Sequence, residues 1–332
     1  MEPIPRVSIL MPAYNAAKYI ITAIESILNQ TFTDFEFIII NDGSTDETEE
    51  IIQSYKDSRI RYFKNESNIK LIATLNKGFD LCRGEYIVRM DADDISHLDR
   101  IQKQVEFMDE NPKVGLSGTA FESFGFINGP YYYRLMDQEI RIRLLHECHM
   151  LHPSIILRTS VIRENNIYMT VLHGEDLDFF IRISEHTKLA NLPDILINYQ
   201  QLPESMSKAN SEITEINCTK IHHQLFLKLD ENFTENDVRI YRKIAYKDFN
   251  GLQNQFNQIC SIVLRLLEGN RMKNIYDHKT FEMYLKDLWT AIILNVKGYK
   301  LPIDSNAKRI NKILKTSFSI RSKSLIKNYI TH

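Results

Sequence analysis

The sequence predicts an α/β protein: a doubly wound, mostly parallel sheet over residues 1–210, followed by a helical C-terminal region over 211–332. Three observations carry that expectation. Short, nearly all-apolar runs alternate with amphipathic segments in the first half, as buried parallel strands and their covering helices do. Turn-forming and acidic residues follow those runs, at the carboxyl edge where such sheets bind ligands. From about Ser211 glycine and strand signals thin out, and long helical periodicities take over.

In chain order, residues 7–11 form the first strand, and Ile20, Ala23, Ile24, Ile27 and Leu28 then recur at helical spacing across 17–29. Residues 35–40 form the second strand, closed by Asn41, Asp42, Gly43 and Ser44. Ser44 or Thr45 is expected to cap a helix to about Tyr55, with acids in its first turns. Residues 60–63, 86–90 and 114–118 read as strands, and 71–82 and 101–110 as helices. Gly174, Glu175 and Asp176 are expected to open a helix through Ile183. Beyond a boundary near 205–212, helical patterns cover 213–229, 237–248, 256–267 and 281–296.

The 332 residues leave room for one large and one small domain. A net charge of -2 gives no electrostatic footprint for nucleic acid. No apolar run reaches the roughly 18 residues that span a bilayer. The opening MEPIPRVSILMPAYN lacks a basic stretch, an apolar core and a small-residue cleavage site, so a cytoplasmic location is expected. Cys82, Cys148, Cys218 and Cys260 lack paired spacing and read as reduced thiols, neither disulfides nor zinc ligands. Residues 305–332 carry Lys308, Arg309, Lys312, Lys315, Arg321, Lys323 and Lys327 with no acid. That stretch is either a solvated terminal helix or a contact with anionic lipid at the inner face of the plasma membrane.

The strand ends carry the chemistry. Pro12, Ala13, Tyr14 and Asn15 end the first strand, and Tyr14 could offer its ring face to a nucleotide base. Asp42 either accepts a base N–H or forms an Asx turn that leads into a helix. Asp91 and Asp93, two apart in an extended segment, point the same way. Such a carboxylate pair is costly unless a cation or hydrogen bonds neutralise it, and hard oxygen ligands suit Mg²⁺ or Mn²⁺. The competing reading is a solvated turn in which Asp94 caps the next helix. Asp176 at a helix N-terminus is either a capping acid or an ionised general base.

Seven segments, in order across residues 6–207, resemble the family 2 glycosyltransferases with the GT-A fold, a Rossmann-like doubly wound sheet. They are VSILMPAYNAAKYI, FEFIIINDGSTDET, LNKGFDLCRGEYIVRMDADDI, LDRIQKQVEFMDENPKVGLSGT, HPSIILRTSV, GEDLDFFIRI and NLPDILINY. Bacterial members that build capsule, O-antigen or other surface polysaccharides are the nearest in pattern. The resemblance implies inverting transfer of a sugar from a nucleotide-diphosphate sugar, first of all a UDP-sugar, to a hydroxyl of a glycan or lipid-linked glycan. It implies that Pro12, Ala13, Tyr14 and Asn15 line the nucleotide pocket and that Asp42 bonds the base. Asp91 would approach ribose or metal, and Asp93 would ligate Mn²⁺ or Mg²⁺. Asp176 would be the base with Glu175 beside it, and His152 would face sugar or acceptor.

This chain departs from the pattern where relatives carry Arg-x-His: Gln200 and Leu202 stand there. Leucine cannot coordinate a cation, so that position would fall to water, Glu204 or Lys208. Lys70 and Leu75 also replace a common glycine and arginine. Two alternatives compete. A sugar-phosphate nucleotidyltransferase would need a glycine-rich basic loop after the first strand, which residues 12–15 are not. A non-catalytic nucleotide-sugar-binding relic is suggested by Gln200 and Leu202.

Overall fold

The computed structural model describes residues 4–171, 173–202, 211–295 and 305–315. The chain divides into two compact units, Met1–Ile221 and His222–His332.

The first unit is built on a nine-stranded sheet. Its first half is parallel: β3 (Ile60–Lys64), β2 (Phe35–Asn41), β1 (Val7–Ala13) and β4 (Tyr86–Arg89) lie side by side in that order. Every residue of β1, β2 and β4 is buried, which requires helices on both faces. One is α1 (Ile20–Leu28), burying Ile20, Ala23, Ile24 and Ile27. Another is α3 (Lys70–Leu81), which crosses β1 so closely that a Cβ on Gly78 would lie 2.4 Å from Leu10. Any larger residue there would force the Leu10 side chain to move.

Beyond β4 the sheet becomes mixed. β8 (Ile156–Arg158) runs antiparallel to both β4 and β6 (Val114–Gly125). β6 pairs in parallel with β9 (Lys188–Gln201), and β5 (Ile95–Ser96) adds antiparallel to β9. The reversal arises because the chain enters β8 from the carboxyl side of β4, through a 3₁₀ turn at His152–Ser154. β7 (Gly129–Tyr131) folds back on β6 as a hairpin. β6 outruns the expected 114–118 because Phe121 and Ser123 are buried while Glu122 is exposed, the alternation of a strand with one wet face.

Helix α2 (Thr48–Ser54) starts later than expected, with Glu49 and Glu50 in its first turn. Ser44 and Thr45 do not cap it, because Asn15 engages both. The Asn15 N–H donates to Ser44 Oγ at 3.0 Å, and the Thr45 N–H donates to Asn15 Oδ1 at 2.8 Å. The remaining helices of this unit are α4 (Arg100–Glu110), α5 (Asp137–Arg143), α6 (Thr159–Asn165) and α7 (Glu175–Ser184).

The dividing line between the units falls within α8 (Ser211–Leu229). The second unit contains α9 (Glu235–Ala245), α10 (Phe256–Lys273), α11 (His278–Asn295) and α12 (Ser305–Leu314). A capping box between Thr234 and Asp237 starts α9. Trp289 on α11 is fully buried, and its indole N–H donates to Asn311 Oδ1 at 2.9 Å. On α12 Ala307, Ile310 and Leu314 turn inward, while Lys308 and Lys312 are exposed and Arg309 pairs with Glu268. Arg321, Lys323 and Lys327 lie outside the described residues. Among the described residues no helix is long and apolar enough to cross a membrane. None of the four cysteines forms a disulfide, and burial pushes the Cys82 thiol up to about 12.

Candidate active site

The parallel register sets the site. Ala13 pairs with Asn41 and Leu10 with Arg89, so the turns after β1, β2 and β4 emerge at one sheet edge.

After β4 the chain turns at once. One oxygen each of Asp91, Asp93 and Asp94 lies within 4.8 Å of the others. A turn gathers them, with the Asp94 N–H reaching Asp91 O at 3.5 Å; strand alternation does not. Asp94 is not a helix cap either. It is fully buried, its Oδ1 accepts the Gln200 N–H at 2.8 Å, and its Oδ2 has no partner. The helix that follows begins only at Arg100, after β5.

Charge in this turn is poorly balanced. Buried Arg89 makes a two-pronged pair with Asp91, at 2.6 and 2.5 Å. Arg100 is buried nearby, but its guanidinium donates to Gln104, Ser96 and the carbonyls of Arg89 and Pro153. Burial and then the Asp91 charge push the Asp93 carboxyl up to about 6. Burial and the charges of Asp91 and Asp93 hold Asp94 well above the ordinary range. Three hard carboxylates, one with an orphaned buried oxygen, fit a small divalent cation such as Mg²⁺ or Mn²⁺. Gln200 contributes through its backbone, and Leu202 follows directly after β9. Glu204 and Lys208 lie outside the described residues.

Asp42, in the turn after β2, has the opposite surroundings. Its Oδ1 accepts from Asn65 Nδ2 at 2.8 Å and the Ile69 N–H at 2.9 Å; its Oδ2 accepts the Lys70 N–H at 2.9 Å. It thus satisfies the N-terminus of α3, and of roughly four lone-pair directions one stays open. Gly43 adopts φ +70 beneath it, where a Cβ would meet the Ser67 carbonyl carbon at 2.7 Å. Pro12 and Ala13 are buried in β1, whereas Tyr14 is 48% exposed and presents its ring to solvent. Asn15 is spent on the 43–46 loop.

Asp176 lies in the first turn of α7, behind Gly174 at φ 131. Its Oδ1 accepts the Leu177 N–H at 2.8 Å, and Glu175 Oε2 accepts the Gly174 N–H at 3.0 Å. Burial and then the Glu175 charge raise the Asp176 carboxyl, opposed by the Leu177 N–H and the Cys148 thiol. Desolvation therefore outweighs the helix N-terminus, contrary to the expectation from the dipole. His152, in the 3₁₀ turn, is buried with Nε2 unpartnered and packs edge-on to Phe180 of α7 at 6.0 Å. Burial and then the Arg89 charge drive its imidazole pKa well down, so it is neutral.

Sequence reasoning missed Asp94 and Arg89 as members of this site, although both flank Asp91 and Asp93 in the run RMDADD. It also missed a set of aromatic rings. Tyr199 on β9, its hydroxyl pKa raised by burial and then by Asp91 and Asp94, packs on Phe121 at 5.7 Å. Phe121 in turn meets Tyr133 at 5.9 Å, and among the charges acting on Tyr133 is that of Asp176.

A family model described as Glycosyl transferase family 2 matches residues 8–165. An uncharacterized glycosyltransferase of Haemophilus influenzae is 35% identical over 217 residues, covering 60% of this chain and 67% of that protein. Among solved structures, residues 1–349 of S. aureus TarS in complex with UDP-GlcNAc match with a TM-score of 0.59 at 16% identity, over 94% of this chain and 93% of that one. The mannosyltransferase PcManGT from Pyrobaculum calidifontis, in complex with GDP-Man and Mn²⁺, matches at 0.54 and 13% identity, over 89% and 88%. At such identities these two show the fold alone, which is GT-A.

Proposed function

The chain belongs to the family 2 glycosyltransferases, and we propose that it is an inverting, divalent-cation-dependent enzyme. In this reading it moves a sugar from a nucleoside diphosphate donor, first of all a UDP-sugar, onto a hydroxyl of a cell-surface glycan or lipid-linked glycan. The single observation that carries it is the acidic turn after β4, where an orphaned carboxylate oxygen and two raised carboxyls stand at the binding edge. Solved structures of the same fold hold UDP-GlcNAc, or GDP-Man with Mn²⁺, and support the donor class.

Asp93, with Asp91 and Asp94, would hold Mn²⁺ or Mg²⁺, which as a Lewis acid offsets charge on the departing diphosphate. Tyr14 would lie against the base, Asp42 would use its one open direction for a base N–H, and Pro12, Ala13 and Asn15 would shape that pocket. The acceptor oxygen attacks the anomeric carbon from the face opposite the diphosphate. The new C–O bond forms as the bond to the leaving oxygen breaks, and the hydroxyl proton passes to Asp176 with Glu175 alongside. Neutral His152 would lie on the sugar or acceptor side. Residues 1–210 would be the catalytic domain and 211–332 a helical region, at work in the cytoplasm with the basic C terminus toward the inner membrane face.

Purified protein incubated with a panel of nucleotide sugars and Mn²⁺ should release nucleoside diphosphate slowly, and rapidly once an acceptor is supplied. Donor binding without any release would leave only a binding relic. Full turnover in EDTA would refute the cation.

A further inference from the structure

The β6–β7 hairpin ends in a surface that the donor site does not use. Phe126, Ile127, Tyr131, Tyr132 and Met136 are each between 46% and 68% exposed. Gly125 and Gly129, at φ +101 and +132, shape the hairpin, and Asn128 Oδ1 accepts the Gly125 N–H at 2.9 Å. The Phe126 N–H donates to Gln201 O at 3.1 Å, tying the tip to the end of β9.

The rings are continuous from solvent to the acidic turn. Tyr131 stacks on Phe121 at 5.3 Å and meets Tyr133 edge-on at 4.9 Å. Phe121 carries the contact on to Tyr199, whose neighbour Gln200 donates its N–H to Asp94 Oδ1 at 2.8 Å. Tyr133 meets His149 edge-on at 5.0 Å, and the preceding residue, Cys148, hydrogen-bonds Asp176. An exposed apolar patch on a soluble domain marks a contact surface. Its occupant is set by chemistry: aromatic faces are electron-rich and attract the C–H-rich faces of sugar rings. The surroundings suit a glycan better than an anionic membrane, since the exposed charges among residues 121–136 are one acid, Glu122, and one base, Arg134, which make no basic cluster.

We propose that Tyr131 and Tyr132 form a stacking platform for pyranose rings of an oligosaccharide acceptor whose reacting hydroxyl is directed toward Asp176. This rests on the glycosyltransferase reading and specifies its acceptor side.

The test measures binding of cello-, malto- and chito-pentaose to the full chain by titration calorimetry, with neither donor nor cation present. Wild type should bind at least one of them. Tyr132→Ala and Tyr131→Ala should each weaken that binding roughly tenfold. Tyr131→Phe, which keeps the ring, should bind like wild type, and unchanged thermal midpoints exclude unfolding. Equal binding by wild type and both alanine variants, or no binding by wild type, overturns the platform. Sedimentation with phosphatidylcholine–phosphatidylglycerol vesicles that is lost in the alanine variants would make the hairpin a membrane contact and overturn it as well. Because no donor is present, failure of glycosyl transfer and failure of the platform are read separately.

Discussion

Two acidic turns sit at the same sheet edge, one after β2 and one after β4, and the protein treats them in opposite ways. Asp42 receives three N–H donors and closes the N-terminus of α3. Asp94 is buried and Asp93 half-buried beside a third carboxylate, and Asp94 receives one N–H on one oxygen and nothing on the other. A carboxylate rich in donors stabilises the fold; carboxylates short of them store a cost that a cation can remove. Donor supply separates an acid already satisfied by the fold from acids with an open demand for positive charge.

The largest expected effect concerns a third acid, Asp176, half-buried in the first turn of α7, where it accepts the Leu177 N–H. Asp176→Asn should lower transfer by about 10²–10⁴-fold while donor affinity holds, since general-base help is of that size. Steady-state rates beside donor titrations decide this, and near wild-type turnover would assign the base elsewhere. Next, Asp42→Ala should destabilise the protein by about 1–3 kcal/mol, because the Ile69 N–H loses its acceptor while Lys70 N–H and Asn65 Nδ2 fall back on Asn68 and Thr74. Chemical denaturation reads that loss, and a variant as stable as wild type would break the contrast between the turns.

Asp94→Asn should go the other way. Without cation it should raise the thermal midpoint, and it should shrink the further rise that Mn²⁺ gives the wild type. A cation-free midpoint below wild type would mean that Asp94 is not short of donors. The smallest effect is pH-linked. The Asp93 carboxyl at about 6 lies above the ordinary 3.8, so between those values the folded protein binds more protons than the unfolded chain. Stability of the cation-free protein should therefore fall as pH rises through about 6 and recover on acidification, with Asp94 acting in the same direction. Saturating Mn²⁺ should flatten the slope, and identical pH profiles with and without cation would count against the site.

The strands β1 to β4 and their covering helices were legible because buried parallel strands leave continuous apolar runs. The mixed half was less so: β8 has three residues, and its direction depends on where the chain re-enters the sheet. Asp91, Asp93 and Asp176 were readable as types at strand and helix ends. Asp94 was not: only the competing reading of a solvated turn gave it a role, as a cap, and that helix begins six residues later, at Arg100. The aromatic wall joins Phe121, Tyr133 and Tyr199 from separate segments, and no local spacing could announce it.

By itself the amino-acid order determined which residues are apolar, where the chain must turn, and which acids fall at the carboxyl edge, since periodicity and turn chemistry act over a few neighbours. Tertiary structure alone decided which of those acids is supplied with N–H donors and which is left without. Hydrogen-bond supply and desolvation depend on groups far apart in the chain, as Gln200 is from Asp94.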